Sequence, residues 1–167
     1  MNKYIEEVLD KSKIIVFDCD GVLSTPLYEK NNHMVQGTDN YDENKDFSWI
    51  RYCMEHNDSY KYCDAPDKMK NLVNKYSKSK DLYVLTTEVS SFALYDKIMF
   101  IKRNYGNVFD DKIHFVSQDN LKVPVLLEIA KIQGVKPSEL VLIEDTFATC
   151  IKACDAGISA IHISHFL

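Results

Sequence analysis

The stretch "KIIVFDCDGVLST", residues 13–25, sets four apolar residues directly before two aspartates that flank a single cysteine. A continuous apolar run of this length reads as a strand covered on both faces. The aspartates then fall at its carboxyl end, Asp18 and Asp20 to one side, while Cys19 points the opposite way into the core. Four further short runs repeat the pattern, at residues 82–85, 113–116, 140–143 and 160–163. Helical periodicity fills the gaps. Residues 66–79 open on a proline and carry Met69, Leu72, Val73 and Tyr76 at helical spacing. Residues 88–104 predict another helix. Residues 122–133 place Leu126, Leu127, Ala130 and Ile132 near one side, with Gly134 as the stop, and "DTFATCIKACDAG" ends at Gly157. Strands alternating with helices predict an α/β fold: a doubly wound, mainly parallel five-stranded sheet with helices on both faces.

One segment departs from the alternation. Residues 24–65 are polar and acidic around "TDNYDENKD" and predict one helix near 43–56, with Phe47, Ile50 and Met54 on one side. At about forty residues this is too long for an ordinary loop and too small for a second full domain. It reads as a small cap insert after the first strand, the core being residues 1–23 and 66–167. Its aromatics, Tyr41, Phe47, Trp49, Tyr52, Tyr60 and Tyr62, read first as the insert's own packing, with base stacking as the alternative. His33 and His56 read as ordinary polar residues of the insert. The acidic run 39–46 reads as a solvated face and helix start.

Composition narrows the function classes. The 167 residues carry a net charge of −5, and no basic block stands out, so no nucleic-acid or membrane partner is expected. No apolar run approaches the ~20 residues of a membrane span. "MNKYIEEVLDKSK" lacks the apolar region of a signal peptide, so a cytoplasmic location is expected. The five cysteines include no CxxC pair, which argues against a disulfide framework or a zinc ribbon.

In a doubly wound sheet, ligands bind beyond the carboxyl ends of the strands. Asp18 and Asp20 follow the first strand, Thr86 and Thr87 the second, and Glu144 and Asp145 the fourth; Lys122 opens the helix after the third. Four carboxylates cannot all stay ionised together without a counter-charge. With oxygen donors alone, the fitting cation is Mg2+, which is held by one or two carboxylates and a substrate phosphate. Zinc would call for His or Cys. A metal, a lysine and hydroxyl donors converging on one point suit a phosphoryl group.

These residues resemble the motifs of the haloacid dehalogenase (HAD) superfamily. "FDCDGVL" resembles its first motif, "VLTT" its second, the lysine of "LKVPVLLEIAKIQGVKPSEL" its third, and "VLIEDT" its fourth. The four occur in order across nearly the whole chain. The resemblance implies a Rossmann-like fold whose central first strand is flanked by the strands carrying the second and fourth motifs. It implies Asp18 as the nucleophile that forms an aspartyl-phosphate, and Asp20 as the acid and then the base. Thr86 would bind the phosphoryl oxygens, with Thr87 the second choice, and Lys122 would offset the charge. The metal would be held by Asp18, the Asp20 carbonyl and Asp145, with Glu144 acting through water. Gly21 and Val22 would offer backbone N–H groups to the phosphate. Where many members carry Gly-Asp and a later acid, this chain has Glu144–Asp145 and then Thr149.

The expected activity is Mg2+-dependent hydrolysis of a small phosphorylated substrate, a phosphate monoester. The alternatives are a phosphotransferase or mutase, a receiver-type phospho-accepting switch, and a member that binds without turnover. A cap this small predicts either an open site accepting varied esters or a homodimer that completes the enclosure. Trp49 and its helix are expected to face the mouth of the site and set selectivity.

Overall fold

The alternation of side chains along the first strand divides the interior into two layers. Ile15, Phe17 and Cys19 enter one apolar cluster; Ile14 and Val16 enter the other. The computed structural model describes residues 2–30, 33–37, 48–88 and 90–166. In chain order the elements are α1 (Lys3–Lys11), β1 (Ile14–Phe17), β2 (Leu27–Lys30), β3 (His33–Gln36), α2 (Ser48–Glu55), α3 (Asp67–Tyr76), β4 (Asp81–Thr87), α4 (Ser91–Tyr105), β5 (Ile113–Val116), α5 (Lys122–Ile132), β6 (Leu140–Glu144), α6 (Phe147–Asp155) and β7 (Ser159–His162). Five of the strands form one sheet in the order β5-β4-β1-β6-β7. Every pairing in it is parallel.

The protein is therefore α/β with a doubly wound, Rossmann-like sheet, and β1 lies at its centre between β4 and β6. Numbered by sequence within the sheet, the order is 3-2-1-4-5. It differs from the flavodoxin-like order 2-1-3-4-5 used by receiver-type switches. Helices α1, α3 and α4 pack on the face of Ile15 and Phe17, while α5 and α6 pack on the face of Ile14 and Val16. Burial of each large apolar side chain contributes about 1.5–3 kcal/mol, and β1 is buried throughout.

The helix faces follow from their stripes. In α4, Ala93, Lys97, Phe100, Ile101 and Tyr105 are buried. Ser90 caps its start by accepting from the Ala93 N–H at 3.2 Å, and Gly106 at φ 64° ends it. In α5 the buried set is Lys122, Leu126, Ile129 and Ala130. Leu127 and Ile132, expected on that side, are exposed. The buried stripe runs through 122, 126, 129 and 130, at i, i+4, i+7 and i+8, which turns Leu127 and Ile132 away from the core.

Between β1 and α3, the structure has a two-stranded antiparallel hairpin, β2 and β3, and the helix α2. The sequence pattern did not reveal the hairpin. On α2, Trp49, Tyr52 and Cys53 are buried and Met54 is exposed. The expected Ile50–Met54 face is thus not the packed one; Phe47, Tyr41 and the run 39–46 lie outside the described residues. Tyr28, Trp49, Tyr52 and Tyr60 form a connected aromatic cluster, with ring centroids 5.4–6.1 Å apart. Among the described residues, no helix is long and apolar enough to cross a membrane.

Candidate active site

Strand β1 ends where its partner β6 still continues, so the Asp18 N–H donates to the Ile143 carbonyl at 2.9 Å. This bond fixes the first aspartate at the carboxyl edge of the sheet. The chain then turns sharply. Val22 and Ser24 N–H groups both donate to the Cys19 carbonyl, and the Gly21 N–H donates to the Ser24 carbonyl. Gly21 has φ 78°, and a Cβ there would run into the Asp145 carboxylate. Glycine is thus required both for the left-handed turn and for the close approach of Asp145. The expectation that the Gly21 and Val22 amides face a phosphate is corrected: both amides close this turn.

Asp18, Glu144 and Asp145 can bring one oxygen each to within 4.8 Å of one another. Between two of them sits the buried Lys122 ammonium, 3.2 Å from Asp18 Oδ1 and 2.9 Å from Glu144 Oε2. Asp119 lies at 3.4 Å on the exposed side. One cation is shared among too many carboxylates in a dry site. Burial, reinforced by Glu144, pushes the Asp18 carboxyl up to about 7, despite the opposing pull of Lys122. Burial and Asp18 push Asp145 up to about 6. Burial also raises Glu144. Burial works against the charge on Lys122, but Asp18, Glu144 and Asp119 outweigh it and hold the ammonium above its usual range.

Glu144 is fully engaged. Its Oε1 accepts from the Asp145 and Thr146 N–H groups at 3.1 Å each, and its Oε2 from Lys122. It therefore orients the lysine and the loop before α6. Asp18 Oδ1 is different: it is buried with no hydrogen-bond partner among the described residues, although Lys122 lies at ion-pair distance. Asp18 gathered with Glu144 and Asp145, carrying more negative charge than the shared Lys122 ammonium offsets, fits a hard divalent cation. The all-oxygen donor set agrees with that choice.

A second group of contacts surrounds Asp20. Lys97 Nζ lies 2.9 Å from Asp20 Oδ2, and the Tyr60 hydroxyl donates to Asp20 Oδ1 at 2.5 Å. Ser24 Oγ adds a bond at 3.3 Å. Lys97 also donates to Thr86 Oγ1 at 3.0 Å and to the Thr87 carbonyl at 2.8 Å. Since Thr86 accepts from the lysine, its own hydroxyl proton remains to be donated elsewhere.

The structure brings Asp18, Asp20, Thr86, Lys122, Glu144 and Asp145 to the carboxyl end of the sheet. Thr87 is turned away from a binding role: its hydroxyl donates to Asp119 Oδ1 at 2.5 Å, which braces the partner of Lys122. Trp49 is also corrected. It is 2% exposed and packed among Tyr28, Tyr52 and Tyr60, so it does not face the mouth of the site. In a segment with few aliphatic residues, the largest ring goes to the interior.

Lys97 and Asp119 do not stand out in the sequence as site residues, and Tyr60 reads there as insert packing, with base stacking as the alternative. A signal for Lys97 existed. It occupies a position of the apolar stripe Ala93–Phe100–Ile101, where a solvated lysine does not belong.

No protein-family profile matches the chain, and no curated protein does. Solved structures do. A predicted HAD-like hydrolase of Porphyromonas gingivalis is 16% identical, with a TM-score of 0.55 and 91% of each chain covered. A HAD hydrolase of Deinococcus radiodurans with bound phosphate and sodium is 12% identical, with a TM-score of 0.60; 91% of this chain and 80% of that one are covered. A HAD family enzyme of Bacteroides thetaiotaomicron, in complex with magnesium and inorganic phosphate, is 12% identical, with a TM-score of 0.55 and coverage of 90% and 93%. At these identities the likeness is one of fold.

Proposed function

We propose that this chain, which has the fold of the HAD hydrolases, is a Mg2+-dependent phosphatase acting on a phosphate monoester through Asp18. The observation that carries the reading is the cluster of Asp18, Glu144 and Asp145 at the carboxyl end of the sheet, with the buried Lys122 ammonium shared between Asp18 and Glu144. The magnesium and phosphate in the Bacteroides enzyme of the same fold support it.

Asp18, Asp145 and the Asp20 carbonyl would hold Mg2+, which supplies positive charge for the phosphoryl oxygens when bound. A carboxylate oxygen of Asp18 attacks phosphorus, and the bond from phosphorus to the leaving oxygen breaks. That oxygen takes a proton from the Asp20 carboxyl group. Asp20, now a carboxylate, removes a proton from water as the water oxygen attacks the same phosphorus. The Asp18–phosphorus bond then breaks, inorganic phosphate leaves, and Asp18 and Asp20 regain their starting forms. Thr86 donates its free hydroxyl proton to a phosphoryl oxygen. Lys122 offsets the charge that accumulates on Asp18 and the transferred group.

The test is a panel of phosphate esters assayed with Mg2+, comparing wild type with Asp18→Asn. Release of inorganic phosphate on every turnover supports hydrolysis. Transfer to a second hydroxyl without phosphate release would make the protein a phosphotransferase. Normal release by folded Asp18→Asn would overturn the assignment.

A further inference from the structure

We propose that Lys97 and Tyr60 are positioning residues that set the Asp20 carboxyl group and the Thr86 hydroxyl, so that the segment bearing Tyr60 helps control proton transfer. The proposal rests on the phosphatase reading above and concerns residues outside its four motifs.

Lys97 lies in the interior of α4 and is 2% exposed. An ammonium has three protons, and here three acceptors meet them: Asp20 Oδ2, Thr86 Oγ1 and the Thr87 carbonyl. Packing does not account for such a residue. A methionine would cover the same stripe without the cost of removing a charge from water. The lysine instead ties the end of β4 to the turn after β1. Burial works against its charge, but Asp20 and its neighbours more than restore it.

Tyr60 completes the hold on Asp20 from the other oxygen. Its own place is fixed by the same helix. Its N–H donates to Asp96 Oδ2 at 2.6 Å, its carbonyl accepts from Arg103 at 3.3 Å, and its ring lies 5.5 Å from that of Phe100. Trp49 packs edge-on against the Tyr60 ring, with centroids 5.4 Å apart. A phenylalanine would keep the ring contacts and lose only the hydroxyl. Both Asp20 oxygens are therefore held by groups whose apolar parts alone would satisfy the packing. Movement of the Tyr60 segment would leave Asp20 Oδ1 with only the longer bond from Ser24 Oγ, 3.3 Å against 2.5 Å.

The experiment compares Tyr60→Phe and Lys97→Met with wild type, using p-nitrophenyl phosphate and a simple alkyl phosphate in Mg2+. The value of kcat/KM reports transfer to Asp18. An alkoxide leaving group needs a proton, and nitrophenolate does not. Each variant should lose at least about tenfold more kcat/KM on the alkyl ester than on the aryl ester. Crystal structures of the variants should show the Asp20 carboxylate displaced. Equal losses on both esters, or no loss, with Asp20 unmoved, would overturn the proposal. If wild type hydrolyses neither ester, the comparison uses an ester of the panel that it does hydrolyse; if it hydrolyses none of the panel, the phosphatase reading fails, and the crystallographic position of Asp20 decides the positioning claim alone. If Lys97→Met does not fold, Tyr60→Phe carries the test, because it removes a single oxygen.

Discussion

Asp18 and Asp20 are two residues apart on one turn, yet each belongs to a different half of the site. Asp18 sits with Glu144, Asp145 and Lys122, supplied by the end of β6 and the start of α5. That half is rich in negative charge: Asp18, Glu144 and Asp145 lie together, and one ammonium, Lys122, is shared between Asp18 and Glu144. Asp20 sits with Lys97, Tyr60 and Thr86, supplied by α4, the segment between β1 and α3, and β4. There each carboxylate oxygen is already held. Under the proposed function, one half would take a cation and a phosphoryl group, and the other would hold a proton-transfer group in place. On that reading, neighbouring identical side chains take separate chemical roles from their surroundings.

The largest effect should come from the Asp18 half. Asp18→Asn should reduce phosphate release to background while circular dichroism and thermal unfolding report an intact fold, since the amide has nearly the same shape and is a poor nucleophile. Asp20→Asn should slow turnover by roughly 10²–10⁴-fold. Mg2+ binding should persist there, because the backbone carbonyl is unchanged. Equal damage from both variants, including loss of metal binding in Asp20→Asn, would erase the distinction between the halves.

A third expectation concerns stability. Lys122→Met would strand Asp18 and Glu144 in a dry site, and breaking a buried pair in this way costs about 3–5 kcal/mol. Urea unfolding in chelator would measure it, and a loss below about 1 kcal/mol, the level of a surface ion pair, would contradict the shared-cation account.

The smallest effect is in pH dependence. The Asp18 carboxyl is raised by burial from 3.8 to about 7, so between those values the folded protein binds more protons than the unfolded chain. This group therefore makes the metal-free protein lose stability as pH rises through that window, with no further loss above it. Asp145, raised to about 6, acts in the same direction. Each kcal/mol lost lowers Tm by about 2–4 °C at this size. In chelator, wild type should therefore lose more Tm than Asp18→Asn does as pH rises from roughly 4 to roughly 7.5. Parallel curves for the two proteins would show that Asp18 is not the strained carboxylate.

The two halves also differed in how readily the sequence revealed them. Every member of the Asp18 half stands at a strand end or a helix start, where the order of apolar runs and polar residues locates it. The strands at 14–17 and 113–116 were bounded as the structure has them. The Asp20 half depends on Lys97 inside a helix and Tyr60 in a segment without strong periodicity. Their meeting with Asp20 is a property of tertiary packing, and only the lysine's place on an apolar stripe announced it. The hairpin β2–β3 was missed because "LYEK" and "HMVQ" are only four residues each and mix polar with apolar side chains. Trp49 was misplaced because its helix was read by its Ile50 and Met54 side, whereas the aromatic cluster draws Trp49, Tyr52 and Cys53 inward.

The central claim is that Asp18 itself carries the phosphoryl group. Wild type and Asp18→Asn should each be mixed with p-nitrophenyl phosphate and Mg2+, quenched in acid during turnover, and digested for mass spectrometry. The account predicts one added phosphoryl group on the wild-type peptide containing Asp18, lost on treatment with hydroxylamine and absent from the variant. Steady phosphate release with that peptide unmodified, and undiminished in Asp18→Asn, would contradict it.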